Sequence, residues 1–135
     1  MYDIHHVAVT ASNFETSIAF YEKLGFKTLF SKHVPEKQKK IALMGLGNLK
    51  LELFWYEDFV DNISTRNTMG NNVKDVGPKH FALKTNSLTE TKKLLESKGI
   101  ELASEPDLGD AGYQFFFIRD PDGIWIEFVQ DDIYV

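Results

Sequence analysis

The chain has 135 residues with 20 acidic and 15 basic side chains, so its formal net charge is −5. This length accommodates one compact domain, or two small halves that share a core, and excludes two independent domains. The negative balance argues against a nucleic acid or an anionic membrane surface as partner, because clustered Lys and Arg bind both. Because cysteine is absent, thiolate chemistry is excluded and any metal would be held by His and carboxylates.

The residues that bear on location carry no targeting signal. Met1 to His6 lacks the basic and apolar regions of a secretory signal peptide. The longest apolar run, residues 115–118, is far too short to cross a bilayer. We therefore expect a cytoplasmic protein that does not associate with membranes.

Two stretches of the chain resemble each other at a constant offset. His6, Asn13 and Gly25 recur 74 residues later as His80, Ser87 and Gly99. This duplication predicts one domain over 1–135 that contains two modules, about 1–56 and about 78–135. Between them lies a linker, residues 57–77, rich in Asn, Asp, Thr and Gly; it is either a lid over a site or a plain connection.

Each module is predicted to run strand, helix and three strands. In the first, a helix over 14–24 begins after Ser12 or Asn13 and ends at Gly25, and the strands cover 4–10, 27–33, 41–44 and 49–55. In the second, Ser87 and Glu90 form a capping-box pattern for a helix over 88–98. Its strands are predicted at 78–84, 100–104, 113–119 and 124–130, with a tight turn at 120–123.

The alternation of side chains along four of these strands separates two faces. One face is purely apolar and is predicted to lie beneath the helices. The other face carries one chemically active residue on each strand: His6, Glu52, His80 and Glu127. The predicted fold class is therefore α+β, with the helices on the outer, apolar side.

Singly, such a His or Glu is more often a solvated or hydrogen-bonded residue than a ligand. The joint pattern favours a metal site. If two modules pack about a pseudo-two-fold axis, equivalent positions meet near that axis. Two carboxylates placed together repel each other, and a divalent cation removes that cost and matches the donor set.

In sequence the chain resembles the vicinal oxygen chelate superfamily, which includes glyoxalase I, methylmalonyl-CoA epimerase, fosfomycin-resistance enzymes, extradiol dioxygenases and bleomycin-binding proteins. The resemblance covers essentially the whole chain and is carried by segments in a typical order: 6–9, 17–26, 51–53, 80–82 and 120–127. It implies tandem βαβββ modules whose mixed sheet curls around a metal cleft.

Among the subfamilies, the closest resemblance is to glyoxalase I-like members, whose His, Glu, His, Glu ligands correspond to His6, Glu52, His80 and Glu127. Epimerases usually have Gln where Glu52 stands, and bleomycin-binding members lack the ligands. Residues 54–57 depart from the Asn-containing stretch that helps true glyoxalase I to bind glutathione, which leaves the true substrate open.

The resemblance implies a metal-dependent lyase or isomerase of the lactoylglutathione lyase family. One divalent ion (Zn, Ni, Co, Mn or Fe(II)) would chelate a small substrate through two adjacent oxygens and stabilise an enediolate, with Glu52 or Glu127 as the base. Phe54 and Trp125 share the ligand face and either form apolar pocket walls or simply pack. A homodimer is the expected assembly.

His5 is interpreted as structural or peripheral, because its parity places it with the apolar face. An Fe(II) dioxygenase is a second enzyme hypothesis, disfavoured because its facial triad has only one carboxylate. A protein that sequesters a drug or metabolite without turnover is the non-catalytic alternative.

Overall fold

A computed structural model describes residues 1–62 and 73–134 of the chain. The chain divides into two compact units, Met1–Asn62 and Ile63–Val135, and their boundary falls inside the predicted linker. The central part of that linker, residues 63–72, lies outside the described residues, and with it the choice between lid and plain connection. Within the described residues, no helix is long and apolar enough to span a membrane.

The first unit has the predicted βαβββ order. Its elements are β1 (His6–Thr10), α1 (Phe14–Lys23), β2 (Lys27–Val34), β3 (Lys39–Leu46) and β4 (Leu49–Tyr56). The sheet order is β1-β4-β3-β2, with β1 parallel to β4 and the other neighbours antiparallel. The first and last strands of this unit thus lie side by side.

The second unit repeats this arrangement. Its elements are β5 (Phe81–Lys84), α2 (Leu88–Ser97), β6 (Asp107–Leu108), β7 (Gln114–Arg119) and β8 (Trp125–Gln130). The sheet order is β5-β8-β7-β6, with β5 parallel to β8. The α+β class and the two tandem modules are therefore confirmed, as two four-stranded mixed sheets, each with one α-helix among the residues that the structure describes.

Both helices begin at the residues that the sequence indicates. The Asn13 side chain accepts a hydrogen bond from the Thr16 backbone N–H at 3.0 Å, and Ser87 accepts one from Glu90 N–H at 3.2 Å. The reciprocal half of the predicted capping box is replaced, because the Ser87 N–H donates to Thr85 Oγ1 at 3.2 Å. Gly25 follows α1 with φ +105°, a left-handed conformation that favours glycine.

The predicted strand at residues 100–104 is wrong, and a two-residue strand, β6, takes its place nearer to β7. The segment still follows β7, because Ala103 N–H donates to the Phe117 carbonyl at 2.7 Å and Phe117 N–H donates to Ser104 Oγ at 2.9 Å. A side chain here replaces the carbonyl that a ladder would supply. Pro106, which has no N–H, prevents the ladder from continuing without a break.

The core lies on the apolar faces that alternation predicts. In the first unit Leu51 and Leu53 of β4 are fully buried, together with Tyr21 of α1. In the second unit Ile126 and Phe128 of β8 are buried with residues of α2. Since these faces are occupied by helices, the opposite faces carry the residues that are available for chemistry.

Candidate metal centre

The first unit brings His6 and Glu52 together on one face of its sheet. In the parallel pairing of β1 and β4, Ala8 lies opposite Glu52, so His6 is the diagonal neighbour two residues earlier. Its Nε2 is 3.8 Å from Glu52 Oε2. Both side chains remain partly exposed, Glu52 at 27%.

The second unit reproduces this pair. Ala82 lies opposite Glu127 in the parallel pairing of β5 and β8, and His80 again stands two residues before the alanine. His80 Nε2 is 3.5 Å from Glu127 Oε2. The same register thus produces the same His–Glu pair in each module.

Each pair offers two donors, which is half of the predicted ligand set. The part of the chain that the structure describes contains no group of three or more His, Asp or Glu residues that could hold a metal. The structure therefore brings His6 to Glu52 and His80 to Glu127, each within its own unit.

The two pairs differ in the environment of the carboxylate. The Glu127 side chain is 12% exposed, and Phe117 of β7 lies directly opposite it in the sheet. Burial raises the pKa of the Glu127 carboxyl above its ordinary value, and attraction to His80 offsets part of this rise. Glu127 is therefore the less solvated of the two carboxylates.

The contact of His5 with His6 was not predicted from the sequence. Its Nδ1 lies 2.8 Å from His6 Nδ1, so one imidazole donates a hydrogen bond to the other, and the rings meet edge to face. Strand β1 begins only at His6, so the strict alternation that assigned His5 to the apolar face does not extend to it. The adjacent imidazoles were the available sequence signal.

Because His6 Nδ1 is hydrogen-bonded to His5, Nε2 is the His6 nitrogen that faces Glu52. A ligating imidazole commonly has its second nitrogen bound in this way, which fixes its tautomer and its orientation.

The two expected pocket residues lie on the ligand faces of their sheets, in different environments. Phe54 is partly exposed, two residues after Glu52, and its ring is 6.2 Å from that of Tyr56. Trp125 is buried, with its ring 5.6 Å from the Phe117 ring and beneath the Arg119 guanidinium at 4.0 Å. The Trp125 ring thus packs edge to face against the Phe117 ring.

The spacing within each pair suits a metal. Two donors about 2.1 Å from one ion are about 3.0 Å apart at a right angle and about 3.4 Å apart at a tetrahedral angle. The observed separations of 3.8 and 3.5 Å exceed the tetrahedral value by less than about half an ångström and the right-angle value by less than about one ångström. Small rotations about the side-chain bonds would allow each pair to chelate.

The family model for the glyoxalase/bleomycin resistance protein/dioxygenase superfamily matches residues 3–128. The chain belongs to this superfamily. The resemblance inferred from the residues is therefore confirmed at the level of the family.

Among similar proteins, YwkD of Bacillus subtilis is 34% identical over 128 residues, with 92% of this chain and 93% of that protein covered. The crystal structure of a glyoxalase family protein from Enterococcus faecalis superposes with a TM-score of 0.80 at 34% identity, covering 94% of this chain and 96% of that one. A putative lactoylglutathione lyase from Brassica oleracea is 28% identical over 93% of this chain, which spans only 43% of that relative.

Proposed function

We propose that the protein is a metal-dependent lyase or isomerase of the glyoxalase I type. The observation that carries the proposal is the repeated pair, a His and a Glu on adjacent parallel strands, in the same register in both modules. Likeness to a putative lactoylglutathione lyase supports the reaction class. Because the chain spans less than half of that relative, the substrate is proposed from the chemistry of the residues.

The proposed ligands are His6, Glu52, His80 and Glu127, two imidazoles and two carboxylates that act together on one divalent ion. This donor set suits Zn, Ni, Co, Mn or Fe(II). Two carboxylates disfavour the alternative of an Fe(II) dioxygenase, whose facial triad contains one. Such an ion, when bound, would act as a Lewis acid toward two adjacent oxygens of a small α-oxo compound.

Glu127 is the proposed base. Its carboxylate is the more buried of the two, and this burial raises its pKa, which favours uptake of a proton by this group. It would take the proton from the carbon beside the substrate carbonyl and return it to the neighbouring carbon, which isomerises the compound without net change in its atoms. Glu52, more exposed, would serve mainly as a ligand.

The proposed assembly is a homodimer. Two units of one chain, or units of two chains, could contribute the pairs to one site, and sedimentation velocity with and without added metal distinguishes these arrangements. A dimer that forms only when metal is added would support a site whose ligands come from two chains.

Elemental analysis of the purified protein tests the metal. We expect one equivalent of divalent metal in the wild type and its loss in His80→Ala and Glu127→Gln. His33→Ala is the matched control, because His33 is an exposed residue of β2 and belongs to neither pair. A wild type that holds no metal even after reconstitution, with an intact fold, would refute the proposal and favour a protein that sequesters a metabolite.

If metal is present, methylglyoxal adducts of several thiols test the reaction. Isomerisation of at least one adduct, abolished in Glu127→Gln, is the expected result. Inactivity across the panel would refute the glyoxalase reaction and leave the metal site standing.

A further inference from the structure

A cavity of about 250 Å³ opens beside the His80–Glu127 pair, entirely within the second unit. Its walls are the loop before β7, the ligand face of β7 itself and a residue that precedes β5. The lining residues other than the pair are Val73, Gly109, Asp110, Ala111, Tyr113, Phe115 and Phe117. The cavity therefore adjoins the atoms that are proposed to hold the metal.

The aromatic walls are held in place by one another. The Phe117 ring meets the His80 ring edge to face at 5.1 Å and the Phe115 ring at 5.6 Å. The Trp125 ring also packs edge to face against the Phe117 ring. Aromatic rings attract a further ring through edge-to-face or offset-stacked contacts.

The loop that forms the other wall is also braced. Gly109 N–H donates to the Tyr113 carbonyl at 3.0 Å, and the Tyr134 hydroxyl donates to the Ala111 carbonyl at 2.9 Å. A Cβ on Gly109 would come within 3.3 Å of the Phe115 ring, so glycine permits this close approach of backbone and ring. The shape of the cavity is therefore built into the fold.

The charge of the lining selects against anionic groups. Among the lining residues that the structure describes there is no Lys or Arg, and the carboxylates are Glu127 and Asp110. A substituent bearing a carboxylate or phosphate would be repelled by these two carboxylates. An uncharged apolar group would instead displace water from aromatic surface.

The size points to a single ring. An apolar protein cavity of roughly 150 Å³ suffices for benzene, so this cavity has room for a phenyl group with a few attached atoms. We infer that the cavity binds an uncharged, single-ring aromatic substituent of the substrate, next to the chelating oxygens. This inference rests on the proposed function for the position of those oxygens and on the cavity alone for the aromatic group.

The test compares two chelating probes on the metal-loaded protein. Benzohydroxamate and acetohydroxamate present the same pair of adjacent oxygens and differ in carrying phenyl or methyl. Isothermal titration should show benzohydroxamate binding at least about tenfold more tightly, the discrimination that a single methylene contributes in an apolar pocket. Equal affinities would overturn the inference while the metal site remained supported.

Two variants change the cavity from opposite sides. Phe115→Ala removes one aromatic wall, and Ala111→Leu fills the space from the exposed loop, where folding is least sensitive. Both should reduce the benzohydroxamate preference to less than about threefold and leave acetohydroxamate affinity unchanged. Leu94→Ala, at an exposed position of α2, is the control and should keep the full preference.

A metal-free arm separates this inference from the proposed function. Trp55→Phe leaves Trp125, in contact with Phe117, as the single tryptophan of the chain. Benzyl alcohol should change its fluorescence saturably in the metal-free protein, and benzoate should bind at least about tenfold more weakly. No saturable change, or equal binding of benzoate, would overturn the inference whatever the metal content.

Discussion

Ser104 should contribute measurably to stability, because it replaces a missing strand carbonyl. Its hydroxyl accepts the Phe117 backbone N–H at 2.9 Å, and Phe117 is only 7% exposed. Ser104→Ala leaves this donor without a partner in a place that water hardly reaches. A buried unsatisfied group costs about 1–3 kcal/mol, so we expect a loss of about 2 kcal/mol.

That loss is large against the roughly 5–15 kcal/mol that stabilises a typical domain. It corresponds to a fall of about 5–10 °C in Tm, or of roughly 1 M in the urea midpoint for a typical slope. Urea unfolding followed by circular dichroism measures the free energy of unfolding. Hydrogen exchange at the Phe117 amide measures the local effect. Its rate should increase by at least the factor to which a loss of about 2 kcal/mol corresponds.

Two controls isolate the hydrogen bond. Ser104→Thr keeps the hydroxyl and should retain most of the stability. Ser97→Ala also deletes a serine hydroxyl, one that donates to the Leu94 carbonyl at an exposed helix end, and should cost less than about 0.5 kcal/mol. If Ser104→Ala unfolds at the wild-type midpoint and the Phe117 amide exchanges at the wild-type rate, the argument that this side chain completes the sheet is wrong.

Three further predictions concern the His–Glu pairs and a helix start. His5→Ala should weaken metal binding about 10-fold in a chelator competition, the lower end of the range for an outer partner of a ligating imidazole, because the bond is exposed; His33→Ala should not. Burial raises the pKa of Glu127 above its ordinary 4.5, so the folded state binds more protons than the unfolded state at pH values around and between the two pKa values. The free energy of unfolding therefore falls as pH rises through this range. Metal-free Glu127→Gln should therefore be more stable than wild type at pH 7, with the advantage lost by pH 4; an advantage that grew toward pH 4 would reverse the sign and refute the reasoning. Asn13→Ala should cost about 1 kcal/mol in urea unfolding and Asn13→Asp far less, since Asp keeps an oxygen that accepts the Thr16 N–H.

The sequence by itself determined the features that depend on local patterns. The duplicated order of residues around His6 and His80 predicted two βαβββ modules, because similar local sequences form similar local elements. Alternation along the strands predicted which face is apolar, since side chains of a strand point alternately to its two sides. It also placed each His on the same face as the Glu of a neighbouring strand.

The tertiary structure decided what depends on residues distant in the chain. The register of β1 against β4 sets the 3.8 Å contact of His6 with Glu52, and the pairing of β7 with β8 places Phe117 opposite Glu127, the more buried carboxylate. The strand expected at residues 100–104 failed because Pro106 and the Ser104 hydroxyl altered its pairing with β7. Burial and pairing are properties of neighbours in space, and periodicity within one segment cannot specify which neighbours the fold supplies.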